Sequence, residues 1–476
     1  MKRLLLTISV LILIFSACTD KFEDYNTDQK NPANVPASAL FSNAQKELSD
    51  YYSNTNVNIN IFLMMSQYWT ETTYIDEANY DLVNRNIPAN IWSRLYLRVL
   101  TDLKEAKNLI EATEVLPGLE ARKKNQLQII ELLNIYTWSH LVDVFGAIPY
   151  TEALNPDNVY PAYDNGPAIY DDLFTRLNTA LANLDETATS FGSADLYYGG
   201  DVSKWVKFGN SLKVKLAIIT ADDDDAFSKT AVEAAVANVF SSNDDNCLMA
   251  YMTSAPNYNQ LYADLVASGR HDFVPANTLV DAMNTLDDPR RAAYFTMYEG
   301  SYIGGTYGYP NSWSQYSHIS DLIQTPDFPG IMMTYPEVCF YLAEAAERGY
   351  SVDKTAEEWY NEGITASFAF WGVADVDTYL AKPEVAYTTA EGTWRQKIGI
   401  QSWIANYVNG AVGYNNWRRL DYPILNLPEW VEEYSGIPVR FTFPINEQTL
   451  NKDNYDAAST MIGGDLISTK LFWDKN

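Results

Sequence analysis

Residues Ile129 to Phe145, IIELLNIYTWSHLVDVF, are apolar around nearly the whole circumference of a helix. A helix with one apolar stripe lies against a surface, whereas one that is apolar on all sides must be enclosed by other elements. The segment therefore predicts a deeply buried helix over Ala121 to Val144, stopped by Gly146 and Pro149. Helices suited to enclose it are present on both sides. Leu95, Val99, Leu103, Ala106 and Ile110 recur at helical spacing, as do Ile169, Leu173, Leu177, Leu181 and Leu184, and then Trp205, Phe208, Leu212, Leu216 and Ile219. Ser38 to Tyr52, Val57 to Tyr68, Lys229 to Phe240, Leu279 to Leu286 and Thr393 to Asn409 read as further helices. Pro336 to Gly349 and Thr355 to Gly372 form a pair, with Ala345, Ala346, Gly363 and Ala366 where the two would press together. Helix pairs recurring at roughly 35–40 residues fit a helical repeat such as the tetratricopeptide unit, and equally a non-repeating α-bundle.

Three stretches break the pattern. Gln67 to Arg85 reads as a long structured loop with a short helix, Asn243 to Pro329 as a large irregular insert, and Trp417 to Asn476 as an irregular end with a β-like segment at Val439 to Phe443. The acidic run Asp222 to Asp225 reads as a solvated loop at a helix end.

The first residues place the rest. Met1-Lys2-Arg3 is basic, Leu4 to Phe15 is apolar, and Ser16-Ala17 are small and precede Cys18. The apolar run is too short for a membrane-spanning helix of ~20 residues, and the order is that of a secretory signal with a lipidation-type cleavage site. Residues 1–17 are then a signal peptide, Cys18 carries the lipid, and 18–37, polar with two prolines, is a tether. Phe15 departs from the usual Leu of bacterial lipoproteins. The domain so held at a membrane is strongly acidic, with a formal charge of −28 over the whole chain. That excludes nucleic acid as a partner, because the chain would repel phosphates.

Candidate chemistry is sparse. His140, His271 and His318 are far apart and in no metal-binding spacing, which speaks against a His-based metal site and leaves oxygen-ligand calcium sites open. No cofactor is expected. Cys339 sits in an apolar helical run and reads as a small buried hydrophobe, with a bridge to Cys247 the alternative. No nucleophile elbow, phosphate loop or dinucleotide fingerprint is present. The 34 Tyr against 19 Phe are unusual, because a core needing bulk alone can use Phe. An excess of Tyr suggests rings that keep one edge wet.

A series of blocks resembles one family. These are Cys18 with its signal, IYTWSHLVDVFGAIPYTEAL (Ile135 to Leu154), PAYDNGPAIYDDLF (Pro161 to Phe174), DLYYGGDVSKWVKFGNSLKVKLA (Asp195 to Ala217), MTYPEVCFYLAEAAERGY (Met333 to Tyr350), IGIQSWIANYVNG (Ile398 to Gly410), NNWRRLDYP (Asn415 to Pro423), IPVRFTFPINEQTLNKDNY (Ile437 to Tyr455) and the tail DLISTKLFWDKN. Their order resembles the SusD/RagB family of outer-membrane nutrient-binding lipoproteins of Bacteroidetes, in its second SusD-like branch. The resemblance implies a mainly α fold, a SusD-like α-α superhelix of tetratricopeptide-like helix pairs packed against an irregular, loop-rich ligand-facing region, with 38–476 as one domain and the insert near 243–329. It implies an oligosaccharide or peptide ligand, a SusC-like TonB-dependent β-barrel transporter as partner, and no enzyme. Asp20, Glu23 and Asp24 resemble the surface-export signal of such lipoproteins, which implies an outer-membrane, lipid-anchored protein facing the exterior. Trp138, Phe145, Gly146, Pro149, Trp205, Asn210 and Ser211 read as scaffold, and Trp417, Arg418 and Arg419 as a site whose ordinary role is pairing with Asp or Glu, with an acidic ligand the alternative.

Glycan recognition needs flat apolar faces for the C–H side of a pyranose, with amides and carboxylates for its hydroxyls. Two stretches have that mixture, Gln67 to Arg85 and Tyr294 to His318. From the first, Gln67, Trp69, Glu71, Tyr74, Asp76, Tyr80 and Arg85 are candidate ligand contacts, and from the second, Tyr302, Tyr307, Tyr309, Trp313 and Tyr316. Peptides would suit the same residues. A glycosidase with two carboxylates and a purely structural transporter subunit are the remaining alternatives, and with 61 acids in the chain the acid count is no evidence for the former.

Overall fold

The computed structural model describes residues 35–428 and 436–476, so the signal segment, Cys18 and most of the tether lie outside the described residues. The chain opens with helix α1 (Ala37–Tyr52) and reaches strand β1 (Trp69–Glu71) through a single turn of helix, Phe62–Met65. The helix expected over Val57 to Tyr68 does not form. Instead the side-chain oxygens of Asn54, Asn56 and Asn60 accept from the backbone N–H groups of Asn56, Asn58 and Phe62. Asparagine binds its own backbone two residues on, and here that competes successfully with helix propagation. The loop that follows β1 carries turns but no helix up to α2 (Ile87–Arg94). A π-helical stretch, Leu95–Leu100, joins α2 to α3 (Thr101–Ala112), and Leu95, Val99, Leu103, Ala106 and Ile110 are all buried as their spacing predicts.

The central helix, α4 (Glu120–Phe145), is buried at every residue from Leu132 to Phe145. It packs with α5 (Gly166–Asn183), and α6 (Val202–Ile219) packs with α7 (Asp225–Ala235). The insert holds strands β2 (Cys247–Met249) and β3 (Phe273–Pro275) and helix α8 (Asn277–Thr285), and β4 (Gly330–Met333) closes it. Two small antiparallel sheets result, β1 with β3 and β2 with β4. The pair α9 (Tyr335–Glu347) and α10 (Ala356–Phe370) is the most intimate in the fold. A side-chain carbon on Gly363 would come within 3.0 Å of the Phe340 ring, so glycine permits that approach. A reciprocal cap between Thr355 and Glu358 starts α10. Helices α11 (Trp394–Ala405) and α12 (Gly410–Leu420) complete the stack, and α13 (Lys452–Met461) lies near the end. Cys247 and Cys339 are both buried and free.

Two expectations are corrected here. Residues 417–476 are not irregular throughout, since they include the end of α12 and all of α13. Val439 to Phe443 forms no strand, and its backbone serves another purpose. A buried helix end leaves carbonyls that water cannot reach. At the end of α4, Arg418 Nη1 donates to Asp143 O at 2.7 Å, the Phe441 N–H to Val144 O at 2.9 Å, and Arg440 Nη2 to Phe145 O at 2.9 Å. Arg440 also pairs with Asp465 at 2.8 Å. Arg419 pairs with Glu344, the acidic partner expected of it, whereas Arg418 donates instead to the Asp143 and Val439 carbonyls and to the Asn415 amide oxygen. The acidic run lies at a helix end with Asp223, Asp224 and Asp225 exposed, as expected, and Asp222 and Asp224 also make structural contacts. Asp222 bridges Arg348 at 2.8 Å and Arg395 at 3.1 Å, and Asp224 caps α7 by accepting from the Phe227 N–H.

Arg440 is fully buried and its partner Asp465 nearly so. Replacing Arg440 with Leu strands both that carboxylate and the Phe145 carbonyl, and is expected to cost about 3–5 kcal/mol in chemical denaturation. A loss below about 1 kcal/mol would mean that water takes the place of the guanidinium.

Candidate functional site

The two aromatic stretches meet because β1 pairs with β3 in the register Trp69 to Pro275, Thr70 to Val274 and Glu71 to Phe273. The ladder extends through the Thr72 N–H to Asp272 O at 2.8 Å and the Ala276 N–H to Tyr68 O at 3.0 Å. The second stretch then joins the far side of β3, with the Gly305 N–H donating to Pro275 O and the Asn277 N–H to Gly305 O, both at 2.8 Å. That approach requires glycine, since a side-chain carbon on Gly304 would sit 2.6 Å from the Asn277 backbone. Asn311 closes the arrangement. Its N–H donates to Thr72 O at 2.9 Å, and its buried side-chain amide donates to Glu71 O, Thr306 O and Tyr309 O.

Two adjoining cavities open at this junction. The larger, about 310 Å³, is lined by Thr55, Asn56, Glu71, Tyr74, Glu77, Arg85, Asp264, Arg270, Asp272 and Phe273, among others. The smaller, about 220 Å³, lies beside Trp313, His271, His318 and Asp321, and shares Arg270, Asp272 and Phe273 as a common wall. Tyr74 is 59% exposed at the mouth. Trp313 stacks against two imidazoles, His271 at 4.0 Å and His318 at 3.6 Å between ring centroids. The polar groups are arranged around these rings. Arg270 pairs with Asp272, with Nη2 donating to Oδ1 at 3.0 Å. Asp264 accepts from the Thr55 N–H and hydroxyl, and burial holds its carboxyl above the usual range.

Glu71 and Glu77 line the same cavity, close enough for the charge of Glu77 to act on Glu71, and Glu77 forms an ion pair with Arg85. Burial, reinforced by the charge of Glu77, pushes the Glu71 carboxyl up to about 9, so Glu71 is a neutral donor at pH 7. The site can therefore offer aromatic faces, carboxylates, guanidiniums and amides to a ligand rich in hydroxyls.

Of the twelve candidate contacts, Glu71, Tyr74, Arg85 and Trp313 line the cavities. Four others are corrected to interior supports. Gln67 is fully buried, donating to Tyr80 Oη and Asn426 O and accepting from Thr278 and the Asn426 N–H. Trp69 is fully buried with its indole N–H on Tyr407 Oη at 2.8 Å. Tyr80 packs on Tyr307, whose hydroxyl donates to Met64 O at 2.8 Å. The physical reason is that β1 is enclosed on both sides, so its rings and those facing it become core. Asp76, Tyr302, Tyr309 and Tyr316 line neither cavity, and Tyr302 instead lies under the Arg291 guanidinium. Sequence reasoning missed Thr55, Asp264, Arg270, His271, Asp272 and His318. The segment Arg270 to Phe273, a charged and aromatic cluster inside a Gly- and Asn-rich insert, was the signal available for four of the lining positions. Among the described residues, no group of three or more His, Cys, Asp or Glu is arranged to hold a metal ion.

A carboxyl raised in the folded state stabilises the fold while it is protonated in both states, and the contribution is lost as pH rises from the ordinary 4.5 towards about 9. Glu71→Gln, a neutral mimic of the protonated form, is expected to match the parent near pH 4. It should become the more stable of the two as pH rises, by up to about 1.4 kcal/mol per pH unit. Thermal or chemical melts across that range check the sign.

A family model described as "Starch-binding associating with outer membrane" (SusD-like_2) matches residues 29–444. Among solved structures, a chitin-binding protein superposes with a TM-score of 0.80 at 25% identity, covering 92% of this chain and 100% of that one. A chitin-binding SusD homolog from Flavobacterium johnsoniae gives 0.77 at 25% identity, over 92% and 98% of the two chains. A SusD homolog from Bacteroides uniformis gives 0.77 at 26% identity, over 92% and 99%. No curated protein matches the chain in sequence. Among the described residues no helix is long and apolar enough to cross a membrane. With the tetratricopeptide-like helix pairs, the match over most of its length makes this chain a member of the SusD-like family of glycan-binding proteins associated with the outer membrane.

Proposed function

We propose that the chain is a cell-surface lipoprotein that captures a glycan at the junction of its two aromatic loops and passes it to a partner TonB-dependent β-barrel transporter. The observation that carries this reading is the paired cavity itself. It combines the exposed Tyr74 and the Trp313 stack with Arg85, Arg270, Asp264 and Asp272, the mixture of flat faces and hydroxyl partners that a polysaccharide requires. Membership of a family described as starch-binding, and similarity to two structures described as chitin-binding, support glycans over peptides. The lipid on Cys18 would hold the domain at the membrane, and the transporter would be covered by it as by a lid.

Binding without turnover is the expected chemistry. Of the carboxyls that line the larger cavity, Glu77 is paired with Arg85 and Asp272 with Arg270, so neither stands free as the acid or base that hydrolysis requires.

The chain carrying Cys18→Ser, applied to an array of glycans and extended peptides, is expected to retain a glycan and leave it intact. Tyr74→Ala and Trp313→Ala are each expected to weaken that retention about tenfold. Retention of peptides alone would replace the glycan reading, and cleavage of any retained polymer would overturn binding without turnover. In cells, Cys18→Ser should abolish surface retention, measured by fractionation, with ligand affinity unchanged.

A further inference from the structure

Both faces of the Trp313 indole are already covered. The planes of His271 and His318 are inclined to it by 21° and 10°. Two imidazoles lying nearly parallel to one indole at 4.0 and 3.6 Å would overlap if they shared a side, so they occupy opposite faces. A pyranose stacks on an aromatic face and not through a ring that already lies there. The Trp313 platform therefore becomes available only when one histidine leaves.

The two covers are held very differently. His318 is half-buried, with its Nε2 2.9 Å from Trp313 O. Its backbone is also fixed, with the His318 N–H on Thr296 Oγ1 at 3.1 Å and the Thr296 N–H on His318 O at 2.9 Å. His271 is exposed, and among the described residues its ring makes no hydrogen bond. Only its backbone is held, with its carbonyl accepting from the Thr72 hydroxyl at 2.7 Å. Its neighbours Arg270 and Asp272 are engaged with each other and do not restrain the imidazole. The cover that can leave at the cost of stacking alone is His271.

We propose that His271 is a displaceable cover on the ligand face of Trp313 and a determinant of specificity. A ligand gains the indole only if it brings a flat C–H face able to replace an imidazole. This rests on the glycan-capture reading of the same site. It favours sugars whose equatorial substituents leave a broad axial C–H surface, and it selects against small polar solutes, which would have to expose the indole without covering it again. His318 acts as a positioning residue that holds the far face.

The test uses the full chain in detergent, with chitohexaose and maltohexaose as probes in calorimetry. His271→Ala is expected to tighten the probe that binds about 2- to 10-fold, because the ligand no longer displaces a stacked ring. His318→Ala is expected to weaken it, because the indole loses its support. Unchanged or weaker binding by His271→Ala overturns the proposal, since the imidazole would then be a spectator or a contact, and so does the same response from both histidines. A second measurement needs no ligand. Acrylamide quenching of Trp313 is isolated from the other eleven of the 12 tryptophans by subtracting the matching Trp313→Phe protein. It should rise in His271→Ala, and an unchanged value overturns the cover. If neither probe binds any variant while quenching rises, the glycan reading fails and the cover stands.

Discussion

The last turn of α4 is enclosed by protein, and its terminal carbonyls have no water to bind. The chain meets that need from almost three hundred residues away, with the Arg418 and Arg440 side chains and the Phe441 backbone closing the carbonyls of Asp143, Phe145 and Val144. Positive charge at a helix C-terminus is favourable, and more so where water is excluded. The same contact ties the central helix to the C-terminal segment, so the helix stack and the tail are one packing problem. Asp143 shows how complete the closure is. Its carboxylate accepts from the Tyr170 hydroxyl, the Asn415 amide and the Trp473 indole, which fall on three separate segments.

On the opposite side of the economy of helices, a ladder of three residue pairs decides where a ligand can be met. Joining β1 to β3 places Glu71 beside Phe273 and brings Arg270 to Asp272 to the rim of the same hollow as Tyr74 and Arg85. Asn311 then fixes the second aromatic loop to the first. Several tyrosines tie distant segments together inside the core. Tyr80 and Tyr307 pack on each other within the core, and the hydroxyls of Tyr68, Tyr294 and Tyr307 each donate to a backbone carbonyl of a distant segment. A hydroxyl at the end of a buried ring both fills volume and satisfies a carbonyl that a phenylalanine would leave unpaired.

Burial also sets the electrostatics of the cavity. Four carboxyls stand against two guanidiniums in the larger hollow, yet Glu71 stays protonated and Glu77 and Asp272 are paired. The wall is thus far less negative than a chain of −28 suggests, and it offers a ligand hydrogen bonds more than charge. A neutral polar surface of that kind suits hydroxyls.

Periodicity made the helix stack legible before any coordinates. The stripes at Leu95 to Ile110, Ile169 to Leu184 and Trp205 to Ile219, and the all-round apolar run ending at Phe145, are local properties, and a helix buries what its spacing aligns. The blocks that resemble one family carried the architecture for the same reason, because packing constrains them everywhere. The helix wrongly expected at Val57 to Tyr68 failed on equally local chemistry, the asparagine side chains that bind their own backbone. The site was legible only as two regions. Nothing local distinguishes Trp69, enclosed on both sides of a strand, from Trp313, which lies at the cavity between two histidines. Nor does sequence bring His271 to His318. Those choices depend on strand pairing between segments some two hundred residues apart, and pairing at that distance leaves no period in the chain to read.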